Sequence, residues 1–357
     1  MAITDIDEQK LEAFIGHAAT ELGAALNTAL VSLGDELGLY KAMADGQPVQ
    51  PAELAARTGT RERYVREWLN AQAASGFVLY EAEAAAYVLP PEHALVLADE
   101  SSPFLMTGSF QAANAAVAAR ERLPERFVDG GGLGWHEHHH DLWHGTERSF
   151  GVGYRASLVP EWLPALDGVV AKLEAGGLVA DVGCGHGFAT ILMAQAVPAS
   201  RFVGIDYHAG SIATARERAA QAGVEDRVTF EVAGAADYAG EGYDLVAFFD
   251  SFHVLGDPLG AARHAAAVLA PGGTCMLVEP YAGDRVEDNL NPIGRLYYGF
   301  STLVCTPGSL SQPGRAGLGT QAGDAALREL LEAAGFDPVR RAAETPLNLV
   351  LEARLPG

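Results

Sequence analysis

The residues best suited to chemistry in this chain are four aspartates and one glycine-rich turn. Asp181-Val182-Gly183-Cys184-Gly185-His186-Gly187 closes an apolar run. Its three glycines at alternate positions remove Cβ atoms, so the backbone can turn sharply and touch a ligand directly. Asp181 lies inside the turn, Asp206 closes the next apolar run, Asp237 follows a third and Asp250 closes a fourth. Along one sheet edge, four carboxylates would repel the pyrophosphate of a dinucleotide. They suit a ligand with a sulfonium, an ammonium and a ribose diol, which is the chemistry of S-adenosylmethionine. The interval of about 20 residues from Gly187 to Asp206 also places a carboxylate where it can accept both ribose hydroxyls.

Two further sets of residues could do chemistry. After the fourth run comes Asp250-Ser-Phe-His253-Val-Leu-Gly-Asp257, and a fifth run ends in Glu279-Pro280. An imidazole with an ordinary pKa of about 6.5 is suited to taking a proton near neutral pH. If the fourth and fifth strands are neighbours about 5 Å apart, His253 and Glu279 leave the same edge within hydrogen-bond reach. The second set is Trp135-His136-Glu137-His138-His139-His140-Asp141-Leu142-Trp143-His144, behind the glycines 130, 131, 132 and 134. His140 and His144, at i and i+4, could share a helical face and chelate a metal. The spacing fixes no third ligand, so the run is read as hydrogen-bonding pocket lining with no metal. Thr146, Phe150, Tyr154 and Arg155 are expected to cap the cofactor.

These residues need a scaffold to bring them together. Apolar runs at 178–182, 201–205, 227–232, 243–249 and 274–279 read as buried strands, with helices over 188–197, 211–222 and 258–269 between most of them. That alternation predicts an α/β fold with an open, doubly wound parallel sheet, which binds ligands at the carboxyl ends of its strands. The segment 281–323 is long for a connection. With Leu290, Ile293, Leu296, Tyr297, Tyr298, Phe300 and Leu303 it suggests lid helices lining an apolar acceptor pocket, and Asn291 and Arg295 are its candidate polar anchors.

The first 120 or so residues are Ala-rich and helical in pattern. Phe14, Leu22, Leu26, Leu30 and Leu33 recur at helical spacing, so the opening helix should bury one stripe and needs a partner surface. A helix from Pro51 to Arg57, a turn at Gly59, a second helix from Arg61 to Ser75 and two short strands at 77–80 and 87–89 resemble a winged-helix module. Residues 1–120 carry 16 acidic against 7 basic side chains, and Arg61, Arg63 and Arg66 are interleaved with Glu62 and Glu67. A DNA-reading face needs clustered Lys and Arg, so this module is expected to make a homodimer and cap the substrate, with no nucleic-acid partner.

At the glycine turn the resemblance becomes specific. Residues 179–187, Gly204-Ile-Asp206-Tyr207 and the strand 243–249 resemble the class I S-adenosylmethionine-dependent methyltransferase motif series. The 336–354 tail, two strand-like runs around Pro346, is similar to the antiparallel hairpin that ends that family's Rossmann-like seven-stranded sheet. The winged-helix start further resembles the two-domain small-molecule O-methyltransferases, whose N-terminal module makes the dimer. The resemblance implies a winged-helix dimerisation domain over 1–125, a linker or cap over 126–160 and a methyltransferase domain over 161–357. It implies Asp181, Gly183 and Gly185 at the methionine part of the cofactor, Asp206 at the ribose, and Tyr207 among the cofactor-binding residues. Asp237 would meet the adenine amino group and Asp250 the rim nearest the sulfonium. His253 would be the general base for a hydroxyl acceptor, oriented by Glu279. Leu255 departs from the family's usual aromatic between that histidine and Asp257. A sensor that pairs the winged helix with S-adenosylmethionine, and an enzyme using nitrogen or carbon acceptors, are the alternatives.

Composition bounds these readings. The chain has 357 residues, 49% hydrophobic and 20% charged, which suits two globular domains. A net charge of −22 repels phosphate backbones and anionic lipid. The acidic start with Asp5, Asp7 and Glu8 is unlike a signal peptide, and no apolar stretch approaches membrane-spanning length. Cys184, Cys275 and Cys305 form no CxxC pair, so neither a disulfide framework nor a zinc site is expected. A small-molecule acceptor in a reducing cytoplasm, away from membranes, is the expected setting.

Overall fold

The computed structural model describes residues 6–357, so Asp5 of the acidic start lies outside the described residues. The chain divides into two compact units, one of residues 1–115 with 140–152 and one of residues 116–139 with 153–357.

In the first unit, helix α1 (Glu8–Glu36) is capped by Asp7, whose carboxylate accepts the Lys10 N–H at 3.2 Å. Helices α2 (Pro51–Thr58) and α3 (Glu62–Ala74) follow, joined through Gly59 at φ 68°. Strands β1 (Leu79–Glu81) and β2 (Ala86–Val88) then pair antiparallel, with Tyr80 opposite Tyr87. The core gathers Val31, Tyr40, Met43, Leu54, Trp68 and Leu69. It also buries a polar chain, Tyr40 Oη to Gln72 at 2.6 Å and Gln72 to Asn27 at 2.8 Å, which is tolerable because its members satisfy one another.

Among the described residues of this unit the α1 stripe finds no partner surface. Phe14, Leu22 and Leu26 are exposed at 67%, 70% and 72%, whereas Asn27, Val31, Ser32 and Gly34 are the residues α1 buries. The reason is steric: Gly34 lies under Trp68, whose ring would be only 2.5 Å from a Cβ there, so the close approach belongs to the small-residue face.

The second unit is built on seven strands in the order β5-β4-β3-β6-β7-β9-β8. They are β3 (Leu178–Val182), β4 (Arg201–Asp206), β5 (Val228–Val232), β6 (Tyr243–Phe249), β7 (Leu269–Pro280), β8 (Val339–Glu344) and β9 (Asn348–Arg354). The first five are parallel, and β9 runs antiparallel between β7 and β8. This is the expected α/β, Rossmann-like sheet ending in a hairpin. Val246, Phe248 and Leu277 lie wholly buried in it, as continuous apolar runs require when both faces are covered. The strand order reverses between β3 and β6, which sets the carboxyl ends of β3, β4 and β6 around one crevice.

One segment differs from expectation and one agrees with it. The segment expected as a linker or cap over 126–160 holds a 17-residue helix, Asp141–Ser157. Its Gly145 is a packing contact with the helix Thr107–Ala118, where a Cβ would come within 2.5 Å of the Ala112 nitrogen. The segment after β7 is helical as expected, with Pro292–Phe300, Ser301–Cys305 and Thr306–Leu310 in succession. No helix among the described residues is long and apolar enough to cross a membrane.

Candidate active site

The glycine turn opens from β3 into the helix Phe188–Ala196. Gly183, Gly185 and Gly187 have φ of 79°, 53° and 78°, a region that side chains strain. A Cβ on Gly183 would also meet Ser251 at 2.6 Å. The Gly183 and Cys184 N–H groups both donate to the Ile205 carbonyl, at 2.8 and 2.9 Å, which seats the turn against the end of β4.

Each predicted carboxylate has its own setting. Asp181 is buried, and its Oδ2 accepts the Thr190 hydroxyl at 2.5 Å, while Oδ1 has no hydrogen-bond partner among the described residues. Burial pushes its pKa up to about 7 against the pull of the Thr190 hydrogen bond. A buried, half-satisfied carboxylate beside a Cβ-free turn fits the ammonium of an amino-acid ligand. Asp206 accepts the Gly185 N–H at 3.0 Å on one oxygen and the His208 N–H at 2.8 Å on the other. Each oxygen keeps a lone pair, so the ribose would meet a carboxylate already fixed by the turn. Burial raises the Asp206 pKa although these donors oppose it.

The remaining cofactor candidates spread outward. Tyr207 is half exposed, with its ring edge-on to His136 at 5.5 Å. Asp237 is exposed in the turn after β5. Asp250, by contrast, is deeply engaged. It closes β6 at φ 48°, a left-handed backbone uncommon outside glycine. Its carboxylate accepts the Tyr154 hydroxyl at 2.6 Å and the Asn348 amide at 3.0 Å. Burial, then the Glu279 charge, pushes its pKa to about 7. Tyr154 packs edge-on or tilted against Phe249, Trp162 and Phe188.

His253 and Glu279 come together at the ends of the neighbouring strands β6 and β7, the pairing that the resemblance implied. His253 sits in the short turn Phe252–Val254, and its Nδ1 is 2.5 Å from Glu279 Oε2. Glu279 Oε1 accepts the Phe252 N–H at 2.9 Å, so backbone and imidazole hold the carboxylate from both sides. Burial alone would lower the imidazole pKa, but the Glu279 charge and a hydrogen bond with the Cys305 thiol hold it well above its usual value. Asp257 is separate from this pair: it is exposed and caps the helix Pro258–Val268 through the Gly260 N–H at 2.8 Å. Asn291 is likewise a cap, for the Gly294 N–H at 2.9 Å, and its amide donates to the Asp288 carbonyl, which corrects its reading as an acceptor anchor.

The sequence reading missed Thr190, Asn348 and Cys305. Thr190 carried a usable signal, a polar residue in the first turn of a mostly apolar helix.

The strand order and the glycine turn define a methyltransferase fold of class I, preceded by a winged helix. Residues 24–99 match the model of the Rv2258c-like winged HTH domain, and residues 173–306 match that of a methyltransferase domain. The 27-O-demethylrifamycin SV methyltransferase of Amycolatopsis mediterranei is 38% identical over 107 residues, which cover 29% of this chain and 39% of that protein. The trans-aconitate 2-methyltransferase of Paracidovorax citrulli is 35% identical over 108 residues, covering 30% and 40%. The matched stretches thus span about two fifths of these relatives. Among solved structures, an O-methyltransferase family protein from Burkholderia thailandensis superposes with a TM-score of 0.70 at 18% identity, covering 96% of this chain and 98% of that one. Human N-acetylserotonin methyltransferase in complex with S-adenosylmethionine superposes at 0.65 and 16% identity, with complete coverage of both chains.

Proposed function

We propose that the protein transfers a methyl group from S-adenosylmethionine to a hydroxyl of a small apolar or aromatic acceptor, with His253 as general base and Glu279 orienting it. The contact that carries this reading is His253 Nδ1 against Glu279 Oε2, at the same sheet edge as the glycine turn. Asp181, Gly183 and Gly185 would hold the methionine part, Asp206 and Tyr207 the ribose end, Asp237 the adenine amino group, and Asp250 the rim near the sulfonium. The cofactor supplies an activated methyl group with its own leaving group. The chain's work is then positioning and proton removal.

Glu279 binds the Nδ1 side of the imidazole, and an acceptor hydroxyl at the other nitrogen would take the place of the Cys305 thiol that hydrogen-bonds the ring. Because His253 holds its proton more tightly than a free imidazole, it becomes a base only as pH rises past its raised pKa. The lid residues Tyr297, Val304 and Cys305 are buried, which keeps water from competing for the methyl group. In the winged-helix unit Arg63 pairs with Glu67 at 2.5 Å and Arg66 pairs with Glu62, which argues against DNA reading by that helix.

The test measures methyl transfer from labelled S-adenosylmethionine into a panel of phenolic acceptors, alongside S-adenosylhomocysteine binding. His253→Ala should lose roughly 10²- to 10⁴-fold in turnover and bind the product cofactor normally. Glu279→Gln should lose less. Near-wild-type turnover in His253→Ala would remove the base and leave catalysis by positioning alone.

A further inference from the structure

The glycine-rich stretch after the helix Leu123–Asp129 is a pinned strap, and the cofactor reading gives it no part. Gly131 N–H donates to Asp129 at 2.6 Å, and Gly134 N–H donates to Glu137 at 2.6 Å. Leu133 N–H donates to the Pro307 carbonyl at 2.9 Å, and Arg122 donates to the Glu137 carbonyl at 2.8 Å. Arg315 donates to the Gly130 carbonyl. So held, the strap delivers His136 to the end of β4, where its ring lies parallel on that of His208 with centroids 3.4 Å apart and planes 15° apart.

His208 is itself fixed relative to the carboxylate assigned to the ribose. Its N–H donates to Asp206, and its Nδ1 accepts the Ser211 N–H at 3.0 Å, which fixes the orientation of the ring. The His136 ring is therefore held one stacking distance beyond a residue that grips Asp206. We propose that His136 is a cofactor-binding residue, its ring in this stack forming a wall of the adenine end of the site. The proposal rests on the reading of Asp206 as the ribose ligand.

Charge and shape agree with that role. Burial, then the neighbouring His208 and His186, lowers the His136 pKa to about 4, so the ring is neutral at working pH. Tyr207 stands edge-on to it, and Glu137 is held by Arg122 and the Gly134 N–H. A neutral flat imidazole beside a ribose-binding carboxylate offers a purine a π surface.

The test is calorimetry at about pH 7.5 with S-adenosylhomocysteine, and with adenosine in competition. His136→Ala should weaken both ligands by about 3- to 10-fold, and His136→Phe, which keeps a flat ring, by no more than about 2-fold. Unchanged binding of both ligands by His136→Ala overturns the proposal. So does a loss confined to S-adenosylhomocysteine, or a His136→Phe loss equal to that of alanine. A wild type that binds neither ligand overturns the cofactor reading, and this proposal with it. Tight wild-type binding with an indifferent His136→Ala overturns this proposal alone.

Discussion

Asp181 is the residue whose chemistry depends most on its ligand. With a pKa raised to about 7, it is only partly ionised at neutral pH in the free protein. An ammonium placed against it favours the charged form, so binding lowers that pKa and releases a proton. The sign follows: affinity for S-adenosylhomocysteine should rise as pH climbs through about 7, with proton release detectable from calorimetry in buffers of different ionisation enthalpy. Asp181→Asn should flatten that dependence and weaken binding by about 1.5 to 3 kcal/mol. An unchanged pH dependence in Asp181→Asn would move the ammonium elsewhere. In the free protein a raised carboxyl acts oppositely on folding: its stabilising proton is lost as pH rises from the unfolded value of about 3.9 through about 7. His253, also raised, holds its stabilising charge fully below about 6.5 and loses it as pH passes its folded pKa. The glycine and aspartate positions were legible in the sequence because backbone turns demand them at fixed spacing. Tyr154 and Asn348 reach Asp250 from 96 and 98 residues away, and no local pattern encodes such a meeting.

At the scale of elements, strands and helices were legible where apolar periodicity was strong, and β3 and β6 have the bounds the runs suggested. Legibility failed where glycine had two physical meanings. Gly145, Gly151 and Gly153 sit within the helix Asp141–Ser157, where glycine costs helix propensity and so resembles a loop. At Gly145 its use is close approach, whereas a Cβ on Gly153 would meet nothing within 4 Å. A Cβ on Gly145 would stand 2.5 Å from the Ala112 nitrogen and 2.7 Å from the Gly108 oxygen, both backbone atoms that cannot swing away. Nearby, Arg148 ties this helix to α1 through Asp35 at 2.8 Å. Gly145→Ala should therefore destabilise by about 1 to 3 kcal/mol, despite alanine's better helix propensity, by forcing the two helices apart. Thermal unfolding decides between the two effects: a raised Tm would mean that propensity outweighs packing and that the helices have room.

At the scale of the whole molecule, the opening helix poses the remaining physical problem. Its spacing announced an apolar stripe in need of a partner surface, but periodicity reports an apolar face without naming what covers it. Leu11, Phe14, Ile15, Leu22 and Leu26 are all exposed on α1, a run of large side chains that a monomer in water would leave costly to solvate. A second copy is the partner proposed here, since a symmetric pairing lets one self-complementary face cover itself. The net charge of −22 opposes association at long range, so the apolar contact must carry the pairing and should survive, or tighten, at higher salt. Light scattering at micromolar concentration should then give twice 37.5 kDa for the wild type. Leu22→Glu with Leu26→Glu should give the monomer mass with an unchanged fold by circular dichroism, because both side chains are already exposed in the single chain. Salt should distinguish apolar from ionic pairing: a dimer that dissociates as salt rises would be held by charge, and the α1 face would not be its seat. A wild type that runs as a monomer at all salt concentrations would leave the stripe to some other partner.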